Sequence, residues 1–356
     1  FQAEDGIRDP LWSRGLGDVY KRQRQNNKDI IAIGEIKMIV VTGGAGFIGS
    51  ALVNGLNKKG INNIWIVDQV DHPEKQNNLN PLVFDQLIGQ DNFLKKILEK
   101  NLPSCDAILH MGACSLTTET NETYLNENNF EYTRYLASYC LEKNIRFIYA
   151  SSAATYGAGE NGYSDDESRL KSLKPLNLYG DSKQNFDLWA QAKGVLKSLV
   201  GLKYFNVYGP NENHKKDMQS MVRKGFFQIR NKGTLCLFKS YKPEYSDGGQ
   251  ERDFLYIKDA VAMTLFFLEQ KNAGGIFNVG SGHARNWNDL AKGIFSAMGK
   301  KTHIEYIDMP EEIKKHYQYH TCSDTKKIRN LGYSHPVMTL EEGVEDYVKK
   351  YLIPTR

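Results

Sequence analysis

Apolar residues in this chain fall into short unbroken runs separated by stretches of helical period. That is the pattern of strands buried on both faces of a parallel sheet. Lys37-Met38-Ile39-Val40-Val41, Ile64-Trp65-Ile66-Val67, Ala107-Ile108-Leu109-His110 and Arg146-Phe147-Ile148-Tyr149-Ala150 are such runs. Between the first two, Leu52, Val53 and Leu56 share one side of a helix expected from Ser50 to a stop at Gly60. Another helix is expected over 128–143, with Phe130, Leu136 and Cys140 facing inward. This strand–helix alternation predicts an α/β fold, a doubly wound parallel sheet with ligands at the carboxyl ends of its strands. Later in the chain Phe254–Ile257 and Gly275–Gly280 read as strands, and 289–298 and 340–351 as helices. The expected organisation is a cofactor domain over 38–205 and a smaller mixed α/β substrate-binding domain over 206–356, with segments around 251–282 returning to the first. Residues 1–37 are polar and without apolar period, and are expected to be a non-native or disordered leader.

Chemistry enters where the first strand ends. Val41-Thr42-Gly43-Gly44-Ala45-Gly46-Phe47-Ile48-Gly49-Ser50 places Gly43, Gly46 and Gly49 at intervals of three. A tight turn, close backbone approach to phosphate and close helix–strand packing each require a missing side chain, and the following helix N-terminus faces the anion. Strand, glycine turn, helix and second strand lead to Asp68, about 20 residues on, where a carboxylate meets the adenosine ribose of a dinucleotide. The sheet is therefore expected to be of the Rossmann type. Asp68 alone favours NAD, because a carboxylate repels a 2′-phosphate. Gln69 and Lys75 can receive that phosphate if the loop folds over the ribose, so the residues leave NAD and NADP both open.

The fourth strand run ends in Ser151-Ser152, and Tyr179-Gly180-Asp181-Ser182-Lys183 follows. Spacing of four puts Tyr179 and Lys183 on one helical face. A phenol, with an ordinary pKa near 10, is a poor base at neutral pH unless nearby positive charge stabilises the phenolate. With Ser152 hydrogen-bonding the same hydroxyl, Tyr179 can take a carbinol proton as hydride leaves the carbon. Arg252 suits a diphosphate, which calls for a bidentate guanidinium. Lys215, between His214 and Lys216, reads from the residues alone as part of a solvated basic loop.

Composition narrows the partners. The chain has 356 residues, 40% hydrophobic, and a net charge of +4 with acids and bases interspersed, which gives no electrostatic case for nucleic acid. No apolar run reaches membrane-spanning length. Five cysteines lie scattered without metal spacing, which points to reduced thiols in a cytoplasmic setting and to no metal site.

Together these residues resemble the extended short-chain dehydrogenase/reductase family. Later motifs are similar to its ADP-L-glycero-D-manno-heptose 6-epimerase branch, from about Met38 to the C-terminus. They are Gly112-Ala113-Cys114-Ser115 with Thr117-Thr118-Glu119, Ala150 to Gly157, Lys203-Tyr204-Phe205-Asn206-Val207-Tyr208-Gly209-Pro210-Asn211-Glu212, His214-Lys215, Arg252-Asp253-Phe254 and Tyr317-Gln318. The resemblance implies epimerisation at C6 of an ADP-heptose by transient oxidation, with NADP the usual cofactor, and a homo-oligomer, expected to be a pentamer. It implies that Tyr179 and Lys215 are two acid/base groups, with Ser152 supporting and Lys183 on the cofactor. Phe47, Ile48, Asp68, Gln69, Lys75, Met111, Gly112, Ala113, Cys114, Ser115, Asn128, Val207 and Lys215 are then expected to line the cofactor. Ser152, Asn206, Asp217, Lys224, Phe238, Lys239, Ser240, Arg252 and Tyr317 are expected to hold the ADP-sugar. Gln90 and Lys224 depart from residues that some members carry, and the insertion 241–249 is longer than in the shortest members. A UDP-hexose 4-epimerase, a dehydratase and a non-catalytic NADP-binding scaffold are the alternatives.

Overall fold

The computed structural model describes residues 38–314 and 317–354. The leader expected over 1–37 lies outside the described residues. Seven parallel strands form one sheet: β1 (Ile39–Thr42), β2 (Ile64–Val67), β3 (Gln86–Ile88), β4 (Ala107–His110), β5 (Arg146–Ser152), β6 (Val200–Tyr204) and, late in the chain, β10 (Gly275–Val279). Their spatial order is β10-β6-β5-β4-β1-β2-β3. The chain winds outward from β1 to β3 in one direction, then returns to β4 on the other side of β1. The sheet therefore reverses between β1 and β4, where a ligand crevice opens at the strands' carboxyl ends. Every residue of β1, β2 and β4 is buried, as their unbroken apolar runs require, whereas β3 at the sheet edge is largely exposed.

Helices cover both faces. α1 (Phe47–Lys58) buries Leu52, Val53 and Leu56. It begins three residues before the expected Ser50, because the glycine turn ends at Gly46 and Phe47 is already packed. α2 (Pro73–Leu79) follows β2, and α3 (Gln90–Leu98) follows β3. The helix expected over 128–143 is two kinds of helix: a π-helical turn over Asn126–Glu131, then α4 (Tyr132–Lys143). Leu136 and Cys140 are buried as expected, and Phe130 is half-buried. α5 (Leu178–Ala192) carries Tyr179 and Lys183.

Past β6 only Phe205 separates the large sheet from β7 (Asn206–Tyr208), so the chain steps directly onto a second layer. α6 (Met221–Lys232) and β8 (Leu235–Phe238) follow. β9 (Glu251–Tyr256) pairs with β7 in parallel and with β11 (Ala284–Asn286) antiparallel. α7 (Ile257–Glu269) then returns the chain to β10 on the large sheet. α8 (Trp287–Ala297) leads to β12 (Ile304–Ile307), which pairs with β8. α9 (Leu340–Tyr347) opens with a capping box, Thr339 with Glu342, and passes into a π-helical turn over Val348–Leu352. Among the described residues no helix is long and apolar enough to cross a membrane.

Candidate active site

The glycine turn sits at the switch point. Gly43 leaves β1 at φ +64°, which favours glycine, and a Cβ there would stand 2.6 Å from the Gly112 nitrogen. A Cβ on Gly49 would run into the Gly43 carbonyl oxygen. The ends of β1 and β4 thus meet backbone to backbone, with no room for side chains. Gly46 caps α1 without a side-chain acceptor, so the first amides of that helix face outward as anion donors. Asp68, at the end of β2, accepts the Ala45 N–H at 2.9 Å through Oδ2 and the Lys75 ammonium at 3.0 Å through Oδ1. Lys75 also donates to the Gln69 carbonyl at 2.9 Å. This cradle fits the pyrophosphate and adenosine ribose of a nicotinamide dinucleotide.

Hydrogen bonds that spacing does not reveal lock the cradle. Thr42 Oγ1 lies 2.6 Å from His110 Nδ1, and His110 Nε2 lies 2.8 Å from Thr133 Oγ1. Thr133 spends its one hydroxyl hydrogen on the Asn129 carbonyl at 2.6 Å, so it accepts from His110, which fixes the hydrogen on Nε2 and leaves Nδ1 to accept from Thr42. Burial holds this imidazole down to about 3, with Lys183 adding to the effect, so it stays neutral. Asn129, turned inward by the π-helical turn, brackets the Cys114 backbone at 2.9 and 3.0 Å and donates to Ser182 Oγ at 3.0 Å. It ties the Met111–Ser115 segment to α5. Its neighbour Asn128 accepts from Gln90 at 2.9 Å. A 3.6-residue period gives no sign of Asn129, because the π-turn inserts an extra residue.

Ser152 ends β5, and Tyr179 lies in the first turn of α5, whose start is capped by the Asn177 side chain. Burial pushes the Tyr179 phenol up, the Ser152 hydroxyl opposes that rise through a hydrogen bond, and Cys114 adds to it. Lys183 is buried and donates to the Ala150 carbonyl at 2.9 Å. Burial lowers its ammonium to about 8, with Asp187 and Cys114 pulling the other way. Ser152 is thus a group that favours the phenolate.

Lys215 lies on the loop after β7, 5.1 Å above the Phe47 ring. Burial holds its ammonium below the ordinary value, Glu212 opposes and Lys224 reinforces. The solvated basic loop read from the residues alone is thus corrected: Lys215 is half-buried against α1. Glu212 is fully buried and accepts from Ser220 N at 2.5 Å, Ser220 Oγ at 2.6 Å and Tyr347 OH at 3.0 Å, anchoring the loop to α9. Lys216 is at φ +47° and ψ −118°, a costly conformation for a residue with a Cβ.

Arg252 on β9 is buried between Trp287 and Tyr317, with ring centroids 5.6 and 5.1 Å from the guanidinium carbon. Its adjacent acids are engaged elsewhere. Glu251 pairs with His320 at 2.7 Å, and Asp253 accepts from Ser281, Gly282 and Ser323. Among the described residues no carboxylate forms an ion pair with Arg252, so an anion from outside is the fitting partner. Tyr317 accepts from Trp287 at 3.0 Å and packs edge-on to Phe238. Asn206 is exposed at the start of β7, where its side chain meets Thr321 at 3.5 Å, and Val207 is half-buried beside it. Other expected substrate residues make contacts of their own: Lys239 with Asp308 at 3.2 Å, Ser240 N–H with Asp247 at 2.7 Å, and Lys224 with the Asp217 carbonyl.

The chain matches the model of the NAD dependent epimerase/dehydratase family over residues 39–280. An ADP-L-glycero-D-manno-heptose-6-epimerase of Nitratidesulfovibrio vulgaris (strain Hildenborough) is 49% identical over 316 residues, spanning 88% of this chain and 98% of that one. One from Fusobacterium nucleatum subsp. nucleatum is 46% identical over 325 residues, spanning 88% and 98%. The crystal structure of the Helicobacter pylori ADP-L-glycero-D-manno-heptose-6-epimerase gives a TM-score of 0.74 at 28% identity, over 89% of this chain and 96% of that one. Likeness that runs nearly end to end in those proteins, on a sheet whose reversal carries the glycine turn, means that this chain belongs to the NAD dependent epimerase/dehydratase family, among its ADP-L-glycero-D-manno-heptose-6-epimerases.

Proposed function

We propose that the chain inverts C6 of ADP-D-glycero-β-D-manno-heptose to give the L-glycero epimer, for lipopolysaccharide inner-core assembly. The nicotinamide, when bound, accepts and returns a hydride at C6. Tyr179 takes the proton of the C6 hydroxyl, and Ser152, hydrogen-bonded to the phenol in this structure, turns its one hydroxyl hydrogen to that same substrate oxygen when the sugar is bound. Lys183 holds the nicotinamide ribose. Inversion requires proton handling on the second face of the resulting ketone, and Lys215 is the group available for it. The observation that carries this reading is Lys215 itself, a lysine half-buried on Phe47 with its ammonium held down, beside the cofactor cradle. Arg252, walled by Trp287 and Tyr317, takes the diphosphate of the substrate.

The cofactor class is set by the family, and NADP is the proposed member. Lys75 neutralises Asp68, which removes the repulsion that a bare carboxylate exerts on a 2′-phosphate. Asn128, Val207 and the Met111–Ser115 backbone complete the proposed cofactor wall. Asn206, Asp217, Lys224, Phe238, Lys239 and Ser240 remain proposed sugar-nucleotide contacts, with a homo-oligomer acting in the cytoplasm.

Protein beginning at Met38 is incubated with ADP-D-glycero-β-D-manno-heptose and the C6 epimers are separated by anion exchange. The expected outcome is equilibration without added cofactor, slowed at least 100-fold by Tyr179→Phe and by Lys215→Met, at about the scale of losing a general acid–base group. A wild-type protein with bound cofactor and no conversion rejects the heptose and directs the search to UDP- and GDP-hexoses.

A further inference from the structure

His214 lies against the glycine turn. A Cβ on Gly46 would have His214 Nε2 as a neighbour at 4.0 Å, so the imidazole sits over the first turn of α1, where the amides are uncapped. The opposite ring nitrogen, Nδ1, is 3.5 Å from Asn78 Nδ2. The orientation of the Asn78 amide is fixed, because Nδ2 donates to the Ala45 carbonyl at 3.0 Å and to the Asn211 carbonyl at 3.1 Å. Both hydrogens of that NH2 are spent on the two carbonyls, and an amide nitrogen cannot accept, so a hydrogen on Nδ1 would find no partner there and the ring hydrogen lies on Nε2, toward the turn. Burial, then Lys75 and Lys215, hold the imidazole at about 4, with Asp68 opposing and His72 adding slightly, so near pH 7 it carries that single hydrogen.

The same loop meets α1 on both sides of the histidine. Asn211, at φ +75°, donates to Ser50 Oγ at 3.0 Å, and Lys215 lies 5.1 Å over the Phe47 ring. We propose that His214 donates its Nε2 hydrogen to the pyrophosphate of the bound dinucleotide and thereby fixes the loop that carries Lys215. The inference rests on the cofactor reading of the glycine turn given above. Under it His214 and Lys215 act as a pair. The first clasps the phosphates, and the second is then held in place for the sugar.

The test uses the full chain stripped of cofactor and two probes, NADPH followed by fluorescence and ADP-ribose followed by calorimetry. ADP-ribose carries the pyrophosphate and lacks the nicotinamide. His214→Ala is expected to raise both dissociation constants about tenfold, the scale of one hydrogen bond to a charged group. His214→Gln, which keeps an N–H donor on a side chain of similar reach, is expected to recover most of that loss. In the wild-type protein, the His214 Nε2 resonance is expected to shift on adding ADP-ribose, a readout that needs no variant to fold. Unchanged affinities in His214→Ala, or an unmoved resonance at saturating ADP-ribose, overturn the proposal. A wild-type chain that binds neither probe overturns it together with the cofactor reading, which separates the two failures.

Discussion

Single groups in this site are set by burial before they are set by charge. Lys183 shows this most clearly: removal from water lowers its ammonium to about 8 although Asp187 lies one turn further along α5. It is charged below that point and neutral above it. If its positive charge serves the cofactor ribose and the phenolate, kcat falls on the alkaline side of about pH 8. Replacing Lys183 with arginine, whose guanidinium stays charged, is expected to move that limb upward even if it lowers the plateau. A limb that stays in place in Lys183→Arg assigns it to another group, and the pH profile of kcat reads the difference.

Among the elements, α5 is bolted to the sheet by a buried ion pair. Asp187 and Lys203 are both fully buried, 3.3 Å apart. Asp187 also accepts from Tyr149 and Ser151 at 2.8 Å each, and Lys203 donates to Thr155 at 2.5 Å while lying 4.8 Å over the Tyr156 ring. The pair joins β5, β6 and α5 directly behind Ser152 and Lys183. Lys203→Met leaves a carboxylate buried without its cation and is expected to cost about 3–5 kcal/mol in urea unfolding. The double variant Asp187→Asn with Lys203→Met is expected to recover much of that, since no unpaired charge remains. Equal losses in the single and double variants contradict a charge-based role.

At the scale of the whole molecule, the cofactor cradle and the proposed diphosphate anchor stand on different sheets. The cradle belongs to β1, β2 and β4 of the seven-stranded sheet, and Arg252 to β9 of the three-stranded one. Arg252→Met is therefore expected to raise KM for the ADP-sugar at least 100-fold, while the dissociation constant for NADPH changes less than twofold. Parallel weakening of both ligands contradicts that separation. Continuity between the layers runs through Phe205 on the way out and α7 on the way back, and Asp253 holds the loops at 281–282 and 323 beside the anchor.

What the sequence by itself determined is the local grammar. Unbroken apolar runs placed β1, β2, β4 and β5, because a strand buried on both faces has no polar side to show. The glycine spacing located the turn, because only missing side chains permit that approach. Spacing of four put Tyr179 and Lys183 on one face of α5. The tertiary structure decided whatever depends on groups far apart in the chain. Lys215 became a half-buried group on Phe47 because β7 delivers its loop to α1, and a run of basic residues read alone carries no trace of that neighbour. Among the described residues Arg252 has no ion-pair partner, because Glu251 and Asp253 are claimed by His320 and by the 281–282 and 323 loops. Asn78, Asn129 and Glu212 each took a hydrogen-bond partner 15 to 135 residues away. Local periodicity encodes which side of an element is apolar. Which polar group meets which is fixed only when the layers close and each buried donor has to find an acceptor.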